Sequence, residues 1–600
     1  MTVTQVTQKP EGRTAPGPSP RPETAPGLER DRPSFRLRPH LKDYDAERAR
    51  FSWEGVEREF DWHTTGKVNM AHEAIDRHAD SWRRNKVALL YLDDARLEKY
   101  TFLDLKRLTD RFANVLRKYG VGRGDRVFLF MPRAPEIYIS LLGALKVGAI
   151  PSPLFEAFMK DAVRDRMADA QAVAAVTVPH MKDRVPVDEL PKLQHVFLAG
   201  AKGAPLGRNE VDWDDEMARA PDTLGSVEWL GREDPLILHY TSGSTGKPKG
   251  VLHVQNAMLG QLITGKYVLD LHDEDIYWCT SDPGWVTGTS YGIFAPWLNG
   301  ATNVIRGGRF DPDRWYETIQ RLRVSVWYSA PTAFRLLMGA GTAVAKRYEL
   351  SSLRHICSVG EPLNPEVIRW GWDAFEGRTI HDNWWMTETG HQLIANYPSM
   401  LVRLGSMGKP IPGVEAAIVD DGGKVLGPHE IGNLCVRKGW PGMMRQIWRN
   451  PERYATYFRH DPWFFTGDSA HRDEDGYFWF HGRIDDVIKT SGERVGPFEV
   501  ESKLVEHPAV AQAGVIGKPD AVRGEIIKAF ISLRSGYQPS DALKQEIMAF
   551  VKKGLAAHMV PREIEFRPDL PRTRSGKIMR RVLKAWELGL PTGDLSTLED

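Results

Sequence analysis

The run Tyr240-Thr-Ser-Gly-Ser-Thr-Gly-Lys-Pro-Lys-Gly250 sets hydroxyl and glycine residues beside two lysines. Small side chains let several backbone N–H groups converge on one anion, hydroxyls add donors, and Lys247 and Lys249 add charge. That chemistry suits phosphate. A flexible Gly/Ser turn is the plain alternative, but the run directly follows the apolar stretch Pro235 to His239, which reads as a strand. The spacing is not that of a GxxxxGK[ST] loop. Gly260 to Lys266 has that spacing, yet Tyr267 stands where a Ser or Thr is required, and the apolar period there predicts a helix. Gly120-Val-Gly-Arg-Gly124 precedes a strand instead of following one, so it makes no dinucleotide fingerprint.

Three more segments carry groups of the right type. Asn383-Trp-Trp-Met-Thr-Glu-Thr-Gly390 offers a carboxylate whose hard oxygens suit Mg²⁺, and aromatic faces that suit a base or a pocket wall. Taken alone, Trp384 and Trp385 would be core aromatics and Glu388 a solvated carboxylate. Trp463-Phe-Phe-Thr-Gly-Asp468 ends on an acid that could accept both hydroxyls of a ribose. His481 to Arg494 adds Arg483 and Arg494, whose forked donors match phosphate or ribose oxygens. Singly, each of these reads equally well as a charged loop. Pro571 to Arg581 carries five cations in eleven residues. Such a run is usually a solvated face, but Lys577 on its Gly turn could be delivered to a reacting phosphate.

The elements that must position these groups alternate. Asp125 to Met131 reads as a strand, Pro135 to Lys146 as a helix and Gly148 to Ile150 as the start of another strand. Val324 to Ser329 followed by Thr332 to Met338 repeats the plan, as does Leu353 to Val359 followed by Pro365 to Phe375. Alternation of this kind implies largely parallel sheets covered by helices. The fold class is therefore α/β: a large N-terminal domain of parallel-rich sheets flanked by helices over 41–484, then a small mobile α+β C-terminal domain over 485–600. In the latter, Pro497 to Glu506 reads as a helix, Ala511 to Gly517 and Ile526 to Leu533 as strands, and Leu543 to Leu555 as a helix. Residues 1–40 hold 8 of the 40 prolines and few aliphatics, and read as a disordered tail without the apolar core of a secretory signal.

Composition narrows the classes. The 600 residues carry 80 Lys and Arg against 79 Asp and Glu, a net charge of +1. That balance gives no electrostatic footprint for nucleic acid or an anionic membrane. No stretch approaches the ~20 apolar residues of a membrane span. Three cysteines, Cys279, Cys357 and Cys435, stand far apart, which excludes a disulfide scaffold and any CxxC motif and makes a reducing, cytoplasmic setting the expectation.

Taken in order, Tyr240–Gly250, Ser358-Val-Gly-Glu-Pro362, Trp384–Gly390, Thr466-Gly-Asp468, Gly482–Arg494 and Ser575-Gly-Lys577 resemble the adenylate-forming superfamily. Within it the chain is similar to the acetyl-CoA synthetases (acetate–CoA ligases). The resemblance spans about residues 50 to 590. It implies a two-step reaction in which acetate attacks the α-phosphorus of ATP, giving acetyl-AMP and pyrophosphate, and the thiol of coenzyme A then displaces AMP. ATP, Mg²⁺ and coenzyme A are the implied cofactors and substrates.

The resemblance also implies residue roles. Thr241, Ser242, Gly243, Ser244, Thr245, Gly246, Lys247 and Lys249 would hold the β- and γ-phosphates. Gly360, Glu361 and Pro362 would border the adenine, with Asn383, Trp384, Trp385 and Met386 beside the nucleotide and Trp384 stacked near the base. Thr387 would contact the α-phosphate and Glu388 would hold Mg²⁺. Asp468 and Arg483 would bind the ribose, and Arg494 a phosphate. Lys577, with Thr241 and Glu388, would serve catalysis, bridging carboxylate and α-phosphate in the first step only. Asp485 would be the hinge. Ser491, Lys552 and Ala157 would meet coenzyme A. Lys552 stands where an Arg is expected, and Phe155-Glu-Ala-Phe158 stands where longer relatives have Phe-Gly-Gly-Phe. Val505, His507 and Val510 would form a backbone cation site.

Val286, Thr287, Val359 and Trp385 match the acetate pocket, where an indole ends the acyl tunnel after about two carbons and a one-methylene preference is worth only ~1–3 kcal/mol. A lysine acetyltransferase and deacetylase acting on Lys577 are the implied protein partners, since acetylation removes its charge. Alternatives are a synthetase for another small acid such as propionate, an adenylation enzyme loading a carrier protein, and a non-enzymatic nucleotide- or DNA-binding protein. No Leu-Gly-Gly-x-Ser carrier motif occurs in the chain.

Overall fold

The computed structural model describes residues 37–241, 248–490, 493–573 and 577–592, with 595 and 598; residues 1–36 of the expected tail, Ser242 to Lys247 and Ser491 lie outside the described residues. The end of that tail is not disordered: His40 donates its N–H to Asp270 Oδ1 at 2.8 Å and stacks on His272. The alternating pattern forms as expected. Strand Arg126–Phe130 is followed by helix Pro135–Lys146, which starts on a proline whose missing N–H costs nothing there. They belong to a parallel sheet ordered Ile150–Pro153, Arg126–Phe130, Ala174–Thr177, His195–Leu198, Glu210–Asp212. Gly260 to Lys266 is part of helix Ala257–Tyr267, as its apolar period requires.

The site depends on a second, 13-stranded sheet. Its parallel half includes Ile276–Cys279, Val326–Ser329, His355–Ser358 and Ile380–Trp384, side by side. Parallel strands end together, so the segments after Ser329, Ser358 and Trp384 emerge at one edge, where open α/β sheets bind ligands. Beyond Trp384 the pairing changes. Ile394–Ala395, Ser406–Pro410, Phe478–Arg483, Trp463–Arg472, Gly432–Arg437 and Ala416–Val419 continue the sheet antiparallel. The expectation of largely parallel sheets holds for the first part of this sheet and not for the second, because residues after Gly390 lack helical crossovers and return through short turns.

Pro235–Thr241 and Lys249–Val254 pair antiparallel, with Thr241 opposite Lys249. The phosphate-type run therefore connects two antiparallel neighbours, where a Walker-type loop would connect a strand to a helix.

After Ile484–Asp486, a short 3₁₀ turn, the chain builds its own five-stranded sheet with Gly524–Leu533 at its centre. Helices Pro497–Val505 and Asp541–Gly554 cover it around a core including Val500, Val515, Ile531 and Ile547. This unit meets the large sheet closely at Gly496. A Cβ there would lie 2.2 Å from the His481 carbonyl oxygen, so only glycine fits. Asn364 Nδ2 also donates to Ser502 Oγ at 2.9 Å across the junction. No helix of the described residues is long and apolar enough to cross a membrane.

Candidate active site

Strand Ile380–Trp384 brings its last residue and the four after it to the sheet edge, where Trp384, Trp385 and Glu388 part company. The Trp384 indole N–H donates to Asp468 Oδ2 at 2.8 Å. The ring lies in a core cluster with Leu393, Met407 and Phe464. Sequence reasoning had its face beside a base; in the fold its polar edge fixes an acid and the ring is largely enclosed. Asp468 faces Arg483 across the antiparallel pair Trp463–Arg472 and Phe478–Arg483, with Oδ1 3.2 Å from the guanidinium. Burial raises the Asp468 pKa, and the attraction of Arg483 and the Trp384 bond only partly oppose it. Asp468 Oδ1 has no hydrogen-bond partner among the described residues. Its ion pair with Arg483 leaves that oxygen able to accept a further hydrogen bond.

Trp385 turns to the opposite side. It packs with Val359, Tyr291 and Tyr328, and Val286 leans on the same cluster. Tyr291 meets the indole edge-to-face, with ring centroids 5.1 Å apart. Three of the expected acyl-pocket residues therefore share one apolar cluster. The fourth, Thr287, sits half-buried in helix Val286–Thr289. The loop before it is pinned at Gly284, where a Cβ would strike the Phe155 nitrogen at 2.2 Å. That approach brings the Trp285 and Phe155 rings to 5.4 Å, beside half-buried Ala157.

Glu388 is buried in the 3₁₀ turn Thr387–Thr389. Lys249 Nζ stands 2.6 Å from its Oε1, and the Tyr457 hydroxyl donates to the same oxygen at 2.9 Å. Lys249 also donates to the Tyr457 oxygen at 2.5 Å. Burial alone would raise the Glu388 pKa, but Lys249 and Tyr457 outweigh it and hold the carboxyl below its ordinary range. The ionised carboxylate in turn keeps Lys249 protonated, its pKa raised despite burial. His253 Nε2 donates to the Thr387 carbonyl at 2.7 Å, and burial lowers the ring's pKa to about 4. A neutral ring there steadies the turn without adding charge.

Lys577 comes from the other end of the chain. Its backbone N–H donates to Thr573 Oγ1 at 3.0 Å and its carbonyl accepts from the Thr573 N–H at 2.8 Å. The side chain is exposed. It nonetheless lies amid enough protein that desolvation lowers its pKa, helped by Arg483 and Arg580 and opposed by Glu361 and Asp468. Its charge thus senses the Asp468–Arg483 pair, although no hydrogen bond or ion pair among the described residues joins them. Arg580 steadies the segment through Glu501, with Nε donating to Oε1 at 2.8 Å, and lies 3.7 Å from Asp486 of the 3₁₀ turn Ile484–Asp486. Asp485 itself is exposed in that turn.

The remaining sequence-selected residues are placed as follows. Gly360, at φ 98°, is exposed after strand His355–Ser358. Glu361 and Pro362 are half-buried; Glu361 accepts from Thr332 Oγ1 at 2.7 Å and pairs with Arg335, so its side chain is committed. Asn383 is buried, and Met386 and Thr387 are half-buried. The Thr241 hydroxyl is buried without a partner among the described residues, at the end of strand Pro235–Thr241. Arg494 lies in strand Glu493–Val495, its side chain outside the description. Lys552 is exposed in the last turn of helix Asp541–Gly554. Val505 and Val510 are buried, and the His507 carbonyl already accepts from the Val510 N–H at 2.9 Å. No hydrogen bond or ion pair joins these last residues to the cleft among the described residues.

Sequence reasoning missed Tyr457, Tyr328 and His253. Each acts through one polar atom, and no spacing marked them. Another missed group is His40, Asp270 and His272, whose ligand atoms lie within 4.8 Å of one another. Arg354 pairs with Asp270 at 2.9 Å, and the group lies away from the cleft just described.

A family model described as AMP-binding enzyme matches residues 75–448, and one described as AMP-binding enzyme C-terminal domain matches residues 499–577. A relative named acetyl-coenzyme A synthetase, from Bacillus subtilis (strain 168), is 65% identical over 562 residues, covering 94% of this chain and 98% of its own. Another protein of that name, from Methanothrix thermoacetophila, is 42% identical and covers 90% of this chain and 86% of its own. Among solved structures, an anthranilate CoA ligase in complex with anthranoyl-AMP is similar with a TM-score of 0.80 at 32% identity, over 87% of this chain and 98% of that one. A Brucella canis acyl-CoA synthetase matches with a TM-score of 0.72 at 35% identity, over 92% and 99%.

Proposed function

Because this chain belongs to the AMP-binding enzyme family, we propose that the cleft ligates acetate to coenzyme A through acetyl-AMP, as an AMP-forming acetate–CoA ligase. One observation carries the reading. Within the five residues 384–388, Trp384 anchors an acid open to a ribose, Trp385 enters an apolar cluster, and Glu388 lies ionised beside a cation. Nucleotide, acyl and metal subsites thus meet at one sheet edge.

Chemically, a carboxylate oxygen of acetate attacks the α-phosphorus and pyrophosphate leaves. The thiolate of coenzyme A then attacks the acetyl carbonyl carbon and AMP leaves. The first step gathers negative charge at phosphorus, so positioning and preorganised cations supply the catalysis. In this reading Lys577 sets its ammonium against the acetate and α-phosphate oxygens. Asp468 and Arg483 take the ribose, with Trp384 holding Asp468 in register. The run from Thr241 to Lys249 takes the outer phosphates.

The residues present suit Mg²⁺. Glu388 is a buried, ionised oxygen ligand, and Lys249 at 2.6 Å already stands as its counter-cation. Glu388 would hold the ion, which when bound would neutralise phosphate charge. Lys249 would then be released to the phosphates. The exposed turn at Asp485 is the proposed hinge between a domain over 41–484 and one over 485–600, able to withdraw Lys577 before the thiol arrives. Ser491, Lys552 and Ala157 remain the proposed contacts of coenzyme A. Acetylation of Lys577 by a protein partner would silence the first step alone. Three lone thiols fit a reducing, cytoplasmic setting for acetate metabolism.

The test is pyrophosphate and AMP release with acetate, propionate, butyrate and a medium-chain acid, each with and without coenzyme A. Acetate is expected to lead, propionate to follow weakly and longer acids to fail, with steady AMP release only when coenzyme A is present. Absence of AMP under all conditions refutes the scheme.

A further inference from the structure

We infer that the hydroxyl of Tyr328 is a positioning group for acyl-chain selection, latching the indole of Trp385 in the orientation that closes the pocket. This rests on the acetate-pocket reading above. Tyr328 is the next-to-last residue of strand Val326–Ser329, two strands from the one that leads into Trp385, and is fully buried. Its hydroxyl makes every bond a phenol can make. It accepts from Trp385 Nε1 at 3.3 Å and from Gln392 Nε2 at 3.0 Å, and donates to Asn383 Oδ1 at 2.9 Å. Asn383 is itself fixed by donating to the Ser358 carbonyl at 2.9 Å.

The geometry separates two jobs. Apolar packing in the cluster decides that Trp385 is buried, but a flat ring can pack in more than one rotamer. The Nε1 bond selects one of them, because an indole N–H without a partner in a dry cluster is costly. Tyr291 completes the latch. Its ring meets Trp385 edge-to-face, and its hydroxyl accepts from the Gln392 N–H at 2.7 Å, tying the same backbone that carries Gln392. The wall that sets acid length is therefore held by Tyr328 and Asn383 on the strands, by Tyr291 on the helical turn Ser290–Phe294 and by Gln392 in the loop after Trp385, none of which needs to touch the acid.

The experiment measures kcat/KM for acetate and propionate, with KM for ATP, in wild type, Tyr328→Phe, Trp385→Phe and the double variant. Tyr328→Phe is expected to raise the propionate-to-acetate ratio about three- to tenfold, the range one neutral hydrogen bond supplies. KM for ATP should stay within about twofold, since general loosening would move both. In the Trp385→Phe background, which lacks the N–H, Tyr328→Phe should leave the ratio unmoved. A folded Tyr328→Phe enzyme with the wild-type ratio overturns the inference, as does an equal shift in both backgrounds. Should Tyr328→Phe fail to fold, Trp385→Phe removes the same bond from the other end, and an unchanged ratio there overturns it. Trp385→Gly is the control. If it too leaves acid preference unchanged, the acetate-pocket reading has failed; if it alone broadens preference, only the latch has.

Discussion

Lys249 Nζ and Glu388 Oε1 lie 2.6 Å apart in a buried pocket that Tyr457 closes. The pair joins strand Lys249–Val254, which follows the phosphate-type run, to the turn after strand Ile380–Trp384. Its stability and its proposed chemistry follow from the same charge.

Glu388→Gln is expected to leave the Lys249 ammonium without its counter-charge and to cost about 3–5 kcal/mol. The pH dependence has a definite sign. The folded Glu388 pKa lies below its ordinary 4.5, so its stabilising contribution is full above that value and lost as pH falls through the lower, folded one. Urea unfolding at pH 7 and at pH 4 and below checks it: the gap between wild type and variant should narrow in acid.

Asp468→Asn should behave oppositely. Burial raises the folded pKa of Asp468, so the group favours folding below its unfolded pKa and opposes it as pH rises through the folded one. Removing the charge should leave the melting temperature at pH 7 unchanged or higher. KM for ATP should rise more than about tenfold, as a site strained for function predicts. A lower melting temperature with unchanged KM contradicts both halves.

Lys577→Ala is expected to slow pyrophosphate release by about 10²–10³, the loss of one preorganised donor, yet to spare thioester formation from supplied acetyl-AMP. Since the Lys577 pKa lies below 10.5, the adenylation half-reaction should fade on the alkaline side earlier than an ordinary lysine would impose. The thioester half should not. Equal loss in both halves contradicts a cation used once.

Trp385→Gly should move preference toward longer acids, with butyrate gaining most per added methylene, at ~1–3 kcal/mol each. Initial rates across a chain-length series read this directly, and an unchanged series removes the pocket assignment.

The order of motifs was legible without coordinates. Pro135–Lys146 follows its strand, Gly260–Lys266 is helical and the second unit has the expected elements, because spacing and propensity are local signals. The family that those motifs indicated is the one that the comparisons return. The sequence also supplied the chemical types: a phosphate-suited run, a hard carboxylate, a bulky ring, a late lysine.

Tertiary structure alone decided which of them meet. Trp384 bonds Asp468 84 positions away, Tyr457 reaches Glu388 across 69, and Tyr328 holds Trp385 across 57. Such pairs depend on which strands become neighbours and in what register: the parallel half of the large sheet set it for Tyr328 and Trp385, and the antiparallel half brought Asp468 to Trp384. An alternating pattern says that a residue faces inward; it carries no record of the partner it will find there. Where a single polar atom does the work, as at Tyr328 and Tyr457, composition and spacing leave no trace, and only packing reveals it.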